Sequence, residues 1–204
     1  MIHILKEVYR SLVHGEIIVK LKKISLKEKE LIEELRSKTS LIPITEISNL
    51  EGAALHWAEY MNQLRYLILN EDPRKFLTWE VIQYSMFIGN VPYVDIELKE
   101  LENSSDFNSK WKTAIQEISV GLPILYKKYL GSSANLIHHA YHIKKFEETI
   151  QTEIKDIDMV FEFGGGYGSM CRLFKNINFN NQYVIFDLPL FSLLQEKSQP
   201  CELT

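Results

Sequence analysis

The segment that most restricts what this chain can fold into is Glu162-Phe-Gly-Gly-Gly-Tyr-Gly168. Four of the nine glycines in 204 residues fall between Gly164 and Gly168. The run before them, Asp158-Met-Val-Phe-Glu-Phe163, is short and mostly apolar, which predicts a buried strand. After Gly168 the period changes, with Met170, Leu173, Phe174 and Ile177 at helical spacing. Asn178 to Asn181 is a turn cluster. Tyr183-Val-Ile-Phe-Asp187 is a second strand candidate, rich in β-branched and aromatic residues. Pro189 restarts a helix through about Gln195. Residues 157–187 thus have the span of a strand–helix–strand crossover that pairs its strands in parallel.

This context gives the glycines a chemical meaning. They permit positive φ and let a ligand approach the backbone without Cβ contacts. The turn lies where the N–H groups of a helix start meet the carboxyl ends of the strands, the usual ligand crevice of open α/β sheets. Glu162 closes the first strand and Asp187 the second. A carboxylate at the second position can accept hydrogen bonds from both hydroxyls of a ribose. A pyrophosphate turn has the pattern G-x-G-x-x-G at a helix N-terminus. Here Ser169 stands where the third glycine would be, and an acid precedes the turn. S-adenosylmethionine has a ribose, no phosphate, and a cationic amino group and sulfonium. The acids therefore favour it over a dinucleotide, and an NAD-binding domain is the weaker alternative.

Residues 1–150 read as helical. Ser25-Leu-Lys-Glu28 is a capping box, with a helix expected to about Ser37. Leu41 to Ser48, with Pro43, reads as a connector. Leu50, Ala53, Ala54, Trp57, Ala58, Met61, Leu64, Leu67 and Ile68 mark an amphipathic helix over 50–69. Asp72-Pro73 starts another helix toward Gly89. Asn90 to Phe107 reads as a polar loop. Trp111, Ile115 and Ile118 suggest a helix ending near Gly121, and a last helix runs from about Ser133 to Gln151. Trp57, Trp79 and Trp111 are expected in the core. His138 and His142 share a helical face at a spacing that can bind metal, but the sequence offers no third ligand. These histidines and His139 are read as a polar helix face or as a flank of the cofactor crevice, and no metal is expected.

Composition excludes several classes. With 46% hydrophobic and 25% charged residues and a net charge of −4, the chain is neither disordered nor a nucleic-acid binder. Cys171 and Cys201 suit buried or half-exposed thiols rather than a disulfide framework. Lys20, Lys22 and Lys23 suit a solvated helix face. The N-terminus lacks a signal-peptide core, and no apolar run approaches membrane-spanning length, so a cytoplasmic location is expected.

The turn Glu162–Gly168 resembles motif I of class I S-adenosylmethionine-dependent methyltransferases. Phe186-Asp-Leu-Pro189 is similar to the second-strand motif of O-methyltransferases. Trp79–Phe87, Gly131–His142 and Lys145-Phe146 are similar to the sugar O-methyltransferase family of bacterial surface-polysaccharide loci. The resemblance implies an α/β fold, with a helical region over 1–150 and the first strand–helix–strand unit of a Rossmann-like sheet over 151–204. It implies transfer of a methyl group from S-adenosylmethionine to a sugar or glycan hydroxyl. Glu162, Phe163, Gly164 and Gly165 would line the cofactor, with Gly166 and Gly168 making the close turn, Asp187 on the ribose and Leu188 near the adenine. Only 36 residues follow Gly168, so the catalytic domain is expected to be incomplete, with little activity alone. A helical interaction module with a vestigial cofactor turn is the non-enzymatic alternative.

Overall fold

The computed structural model describes residue 21 and residues 23–198. Lys20, Lys22, Cys201 and the N-terminal segment lie outside the described residues. Lys23 is exposed but precedes the first described helix.

That helix, α1 (Leu26–Leu41), begins at the predicted capping box. The Glu28 N–H donates to Ser25 Oγ at 3.2 Å, and the Ser25 N–H donates to Glu28 Oε2 at 2.7 Å. It runs past Ser37 and stops where Ile42 turns extended before Pro43, since a residue preceding proline avoids the helical region. Helix α2 (Gly52–Asn70) buries Ala58, Leu64 and Ile68. Its C-terminal carbonyls are capped in trans by Arg36, which donates to Ile68 O at 3.2 Å and Glu71 O at 2.8 Å. Trp57 is exposed, contrary to expectation, and joins a surface aromatic group with Tyr60 and Tyr84. Trp79 and Trp111 are buried as expected.

The expected helix after Asp72-Pro73 is two pieces, a 3₁₀ segment Pro73–Thr78 and α3 (Glu80–Met86). Asn90 to Phe107 is not a loop. Pro92 occupies the first turn of α4 (Pro92–Glu102), which buries Val94, Glu97, Leu98 and Leu101. Those positions form one helical stripe hidden in the sequence among charged residues. Conversely, the helix expected around Trp111 is only a π-turn (Phe107–Trp111) and one short helical turn (Lys112–Ala114). Helix α5 (Ala134–Ile150) starts at Ser133, whose side chain accepts from the Leu136 N–H, and ends at Gln151 in the left-handed region.

Strand β1 (Met159–Phe163), helix α6 (Ser169–Asn176) and strand β2 (Gln182–Phe186) follow, then α7 (Pro189–Ser198). The strands pair in parallel, Met159 opposite Gln182 and Phe163 opposite Phe186. They are not buried strands. Tyr183 and Val160 pack inward, while Phe161 and Phe163 on the other face are 62% and 77% exposed.

Two hydrophobic cores run through the described residues. One joins α4, α5 and the Trp111 segment to Leu173, Phe174 and Phe179 around α6. The other joins α1, α2, the 3₁₀ segment and α3 to Tyr167 and to Leu190, Phe191 and Leu194 of α7. Each core draws residues from both sides of residue 150. No described helix is long and apolar enough to cross a membrane.

Candidate functional site

The glycine turn sits at the C-terminal ends of both strands. Gly164, Gly166 and Gly168 have φ of 77°, 59° and 80°, a region costly for residues with a Cβ. The Gly164 N–H donates to Phe186 O at 2.9 Å, which extends the strand pairing by one step. The Gly168 N–H donates to Gly165 O at 2.9 Å and closes the loop onto α6. A Cβ on Gly165 would lie 2.7 Å from Ile185 Cγ2 and 3.0 Å from Glu162 Oε2. A Cβ on Gly166 would lie 3.0 Å from Met86 Sδ. A Cβ on Gly164 would meet nothing within 4 Å among the described residues, which leaves this flank of the turn open to them.

Asp187 reaches into the turn. Its Oδ2 accepts from the Gly166 N–H at 2.7 Å and from Gln195 Nε2 at 2.9 Å, and its Oδ1 accepts from the Leu188 N–H at 2.7 Å. Glu162 is half-buried and accepts from the Tyr183 hydroxyl at 2.8 Å. Burial pushes its carboxyl above the ordinary 4.5, the Tyr183 hydrogen bond opposes this, and the charge on Asp187 adds to the rise. Asp187, Glu162 and the glycines are thus brought together. Phe163 is not with them: its side chain lies on the opposite sheet face from Glu162 and stacks on Phe186, ring centroids 5.3 Å apart. The Leu188 side chain is exposed beside Asp187.

Three residues hold the turn in ways that the sequence alone does not assign. Gln195 of α7 is buried, and its Nε2 bridges Gly166 O at 2.8 Å and Asp187 Oδ2. Tyr167 is buried between Phe76 and Phe87, and burial raises its hydroxyl to about 12, so it is neutral. Ser169, which breaks the dinucleotide pattern, is buried, and its Oγ lies 2.7 Å from His139 Nδ1. Burial lowers His139 to about 4, so at neutral pH it is an uncharged partner beneath the start of α6. The sequence signals were present: an aromatic inside the glycine run, a serine at the third-glycine position and a glutamine on the apolar side of α7.

Below the turn, Arg172 Nη2 lies 2.7 Å from both oxygens of Glu117, with both side chains nearly buried. Burial raises the Glu117 carboxyl, and Arg172 opposes that rise. This pair ties α6 to the segment that follows the short helical turn.

His138 and His142 do share a face of α5, and the structure supplies the third candidate ligand that the sequence does not offer. Glu97 of α4 places Oε1 2.8 Å from His138 Nδ1. Comparison of the chain with protein-family models, with curated proteins and with solved structures finds no match.

Proposed function

We propose that the glycine turn binds S-adenosylmethionine and that the chain serves methyl transfer to a sugar or glycan hydroxyl. The observation that carries the reading is the placement of Glu162 and Asp187 on either side of an open glycine turn at the ends of two parallel strands. The motif resemblance extends it to methyl transfer, and the matches in the helical region extend it to a sugar acceptor.

The residues present suit the group. The open flank at Gly164 leaves room for a ligand against the backbone. Asp187 brings its carboxylate to the turn at the Gly166 N–H, where it would meet a ribose, and the acids suit a cationic amino acid portion better than a pyrophosphate. Bound cofactor would supply a sulfonium methyl for in-line displacement by an acceptor oxygen. The chain's own part is positional. Gln195 and the Gly166 N–H orient the Asp187 carboxylate, while Tyr167 and the Ser169–His139 bond fix the turn from below.

One observation favours the non-enzymatic reading. Both acids are already engaged by the protein itself, as they would be in a purely structural turn. Calorimetry on the full chain with S-adenosylhomocysteine and with NAD decides between the readings. Micromolar binding of the former is expected, weakened about tenfold or more in Asp187→Ala, since a hydrogen bond to a charged group contributes about 1.5–3 kcal/mol. Glu59→Ala, at an exposed position of α2, is the control outside the turn. Binding of neither ligand supports the helical interaction module, and preference for NAD supports a dinucleotide site.

A further inference from the structure

We infer that Glu97, His138 and His142 form a binding site for a divalent transition ion of the zinc class. Helices α4 and α5 pack side by side and bring the three together. One ligand atom from each residue falls within 4.8 Å of the others. The set is two imidazoles at positions i and i+4 of one helix and a carboxylate from its neighbour. Two histidines and one glutamate with a further position left to water is a zinc-binding donor set, and imidazole also suits cobalt, nickel and copper.

The carboxylate gives the site an independent signature. Glu97 is 7% exposed, and its Oε2 is buried without a hydrogen-bond partner among the described residues. Its Oε1 is engaged by His138 Nδ1 at 2.8 Å. A buried carboxylate oxygen left unpaired is costly, and a cation is the partner that would satisfy it. The histidine rings are already gathered, with His138 and His142 centroids 4.3 Å apart and edge-on. Tyr93 lies against His138 at 5.7 Å and covers one side.

The adjustment needed is small. Ligand atoms about 2.1 Å from a tetrahedral zinc stand about 3.4 Å from one another, so no pair must close by more than about 1.4 Å, while Glu97 Oε1 and His138 Nδ1, now 2.8 Å apart, part by about 0.6 Å. His142 is the exposed member, free to swing in by a change of side-chain torsion. Glu97 and His138 are the more buried members. His139, between the two ligands in sequence, points elsewhere, toward Ser169. The inference does not depend on the cofactor reading, because it uses none of the residues of the glycine turn.

The test is a zinc titration of the full chain after chelator treatment, by calorimetry and by competition with a chromophoric chelator. Cobalt(II) visible absorption reports the coordination geometry. One ion per chain is expected, with release of protons as the imidazoles are ligated, tetrahedral cobalt bands, and a zinc-dependent rise in Tm. His142→Ala, at an exposed position, leaves the fold intact by circular dichroism. It should weaken zinc by more than the roughly 10–100-fold that loss of a supporting outer contact costs. Glu97→Gln should do the same, and His56→Ala, at an exposed histidine on α2, should do nothing. Unchanged affinity in His142→Ala overturns the proposal. So does loss in His142→Ala with full retention in folded Glu97→Gln, which would mean a surface histidine pair only.

Discussion

Alanine substitutions at Gly164, Gly165 and Gly166 separate two reasons for having glycine in the turn. At Gly164, φ is 77° and an added Cβ meets nothing within 4 Å. The cost is conformational alone, about 1–2 kcal/mol for a left-handed alanine, less about 0.4–1 kcal/mol returned by the stiffer unfolded chain. A net loss between about 0 and about 1.6 kcal/mol follows from these two values. Gly165 has no positive φ, but its Cβ would lie 2.7 Å from Ile185 Cγ2. Ile185 is β-branched and fixed in β2, so the loss is overpacking, about 1–3 kcal/mol. Gly166 combines a φ of 59° with a contact at 3.0 Å to Met86 Sδ, a side chain that can yield. Urea unfolding of the three variants, read at constant m, gives the losses. The decisive measurement is the double-mutant cycle. Ile185→Ala should recover part of the Gly165→Ala loss and Met86→Ala part of the Gly166→Ala loss, with couplings of about 0.5 kcal/mol or more. Gly164→Ala should add to either partner variant. Coupling of Gly164→Ala to Met86→Ala, or a harmless Gly165→Ala, would refute this division of roles.

Two other perturbations test the electrostatics beneath the turn. Because the folded-state carboxyl of Glu162 is held above its ordinary 4.5 by burial, the stability it contributes is full below that value and is lost as pH rises through the folded value. Glu162→Gln should therefore gain stability relative to the parent as pH rises from about 4 to about 7, and a difference in denaturation midpoint that is flat with pH would contradict this. Glu117→Ala should cost about 3–5 kcal/mol by leaving the Arg172 guanidinium buried and unpaired, whereas replacing the pair together by Arg172→Met and Glu117→Leu should cost far less. Equal losses in chemical denaturation would show that the pair contributes more than its own mutual compensation.

The strand–turn–helix–strand order was legible because each change of period is marked: a short apolar run, glycines, a helical stripe, then a β-branched run. The Ser25–Glu28 cap and the Ser133 start were equally plain, because capping depends on chemistry at fixed offsets. What failed was burial. The run of the first strand predicts burial, but in a two-stranded sheet packed on one side its alternate residues Phe161 and Phe163 face outward. Helix α4 was hidden because its buried positions include Glu97, and a carboxylate on an apolar stripe reads as loop or surface. That error also concealed the third donor beside His138 and His142, which lies 41 residues from His138 in sequence. The supporting roles of Gln195 and Ser169 are hidden for a related reason. Their value lies in partners that only the folded chain supplies.

The bonds around Asp187 set a stoichiometry. An ionised carboxylate offers about four lone-pair sites. The Gly166 N–H and Gln195 occupy those of Oδ2, and the Leu188 N–H takes one on Oδ1. One acceptor site remains. A diol can therefore place a single hydroxyl on Asp187 while the turn keeps its present bonds. Gripping both hydroxyls requires Gln195 or the Gly166 N–H to let go, so a two-point grip on a ribose and the turn's own clasp are mutually exclusive states of the same side chain.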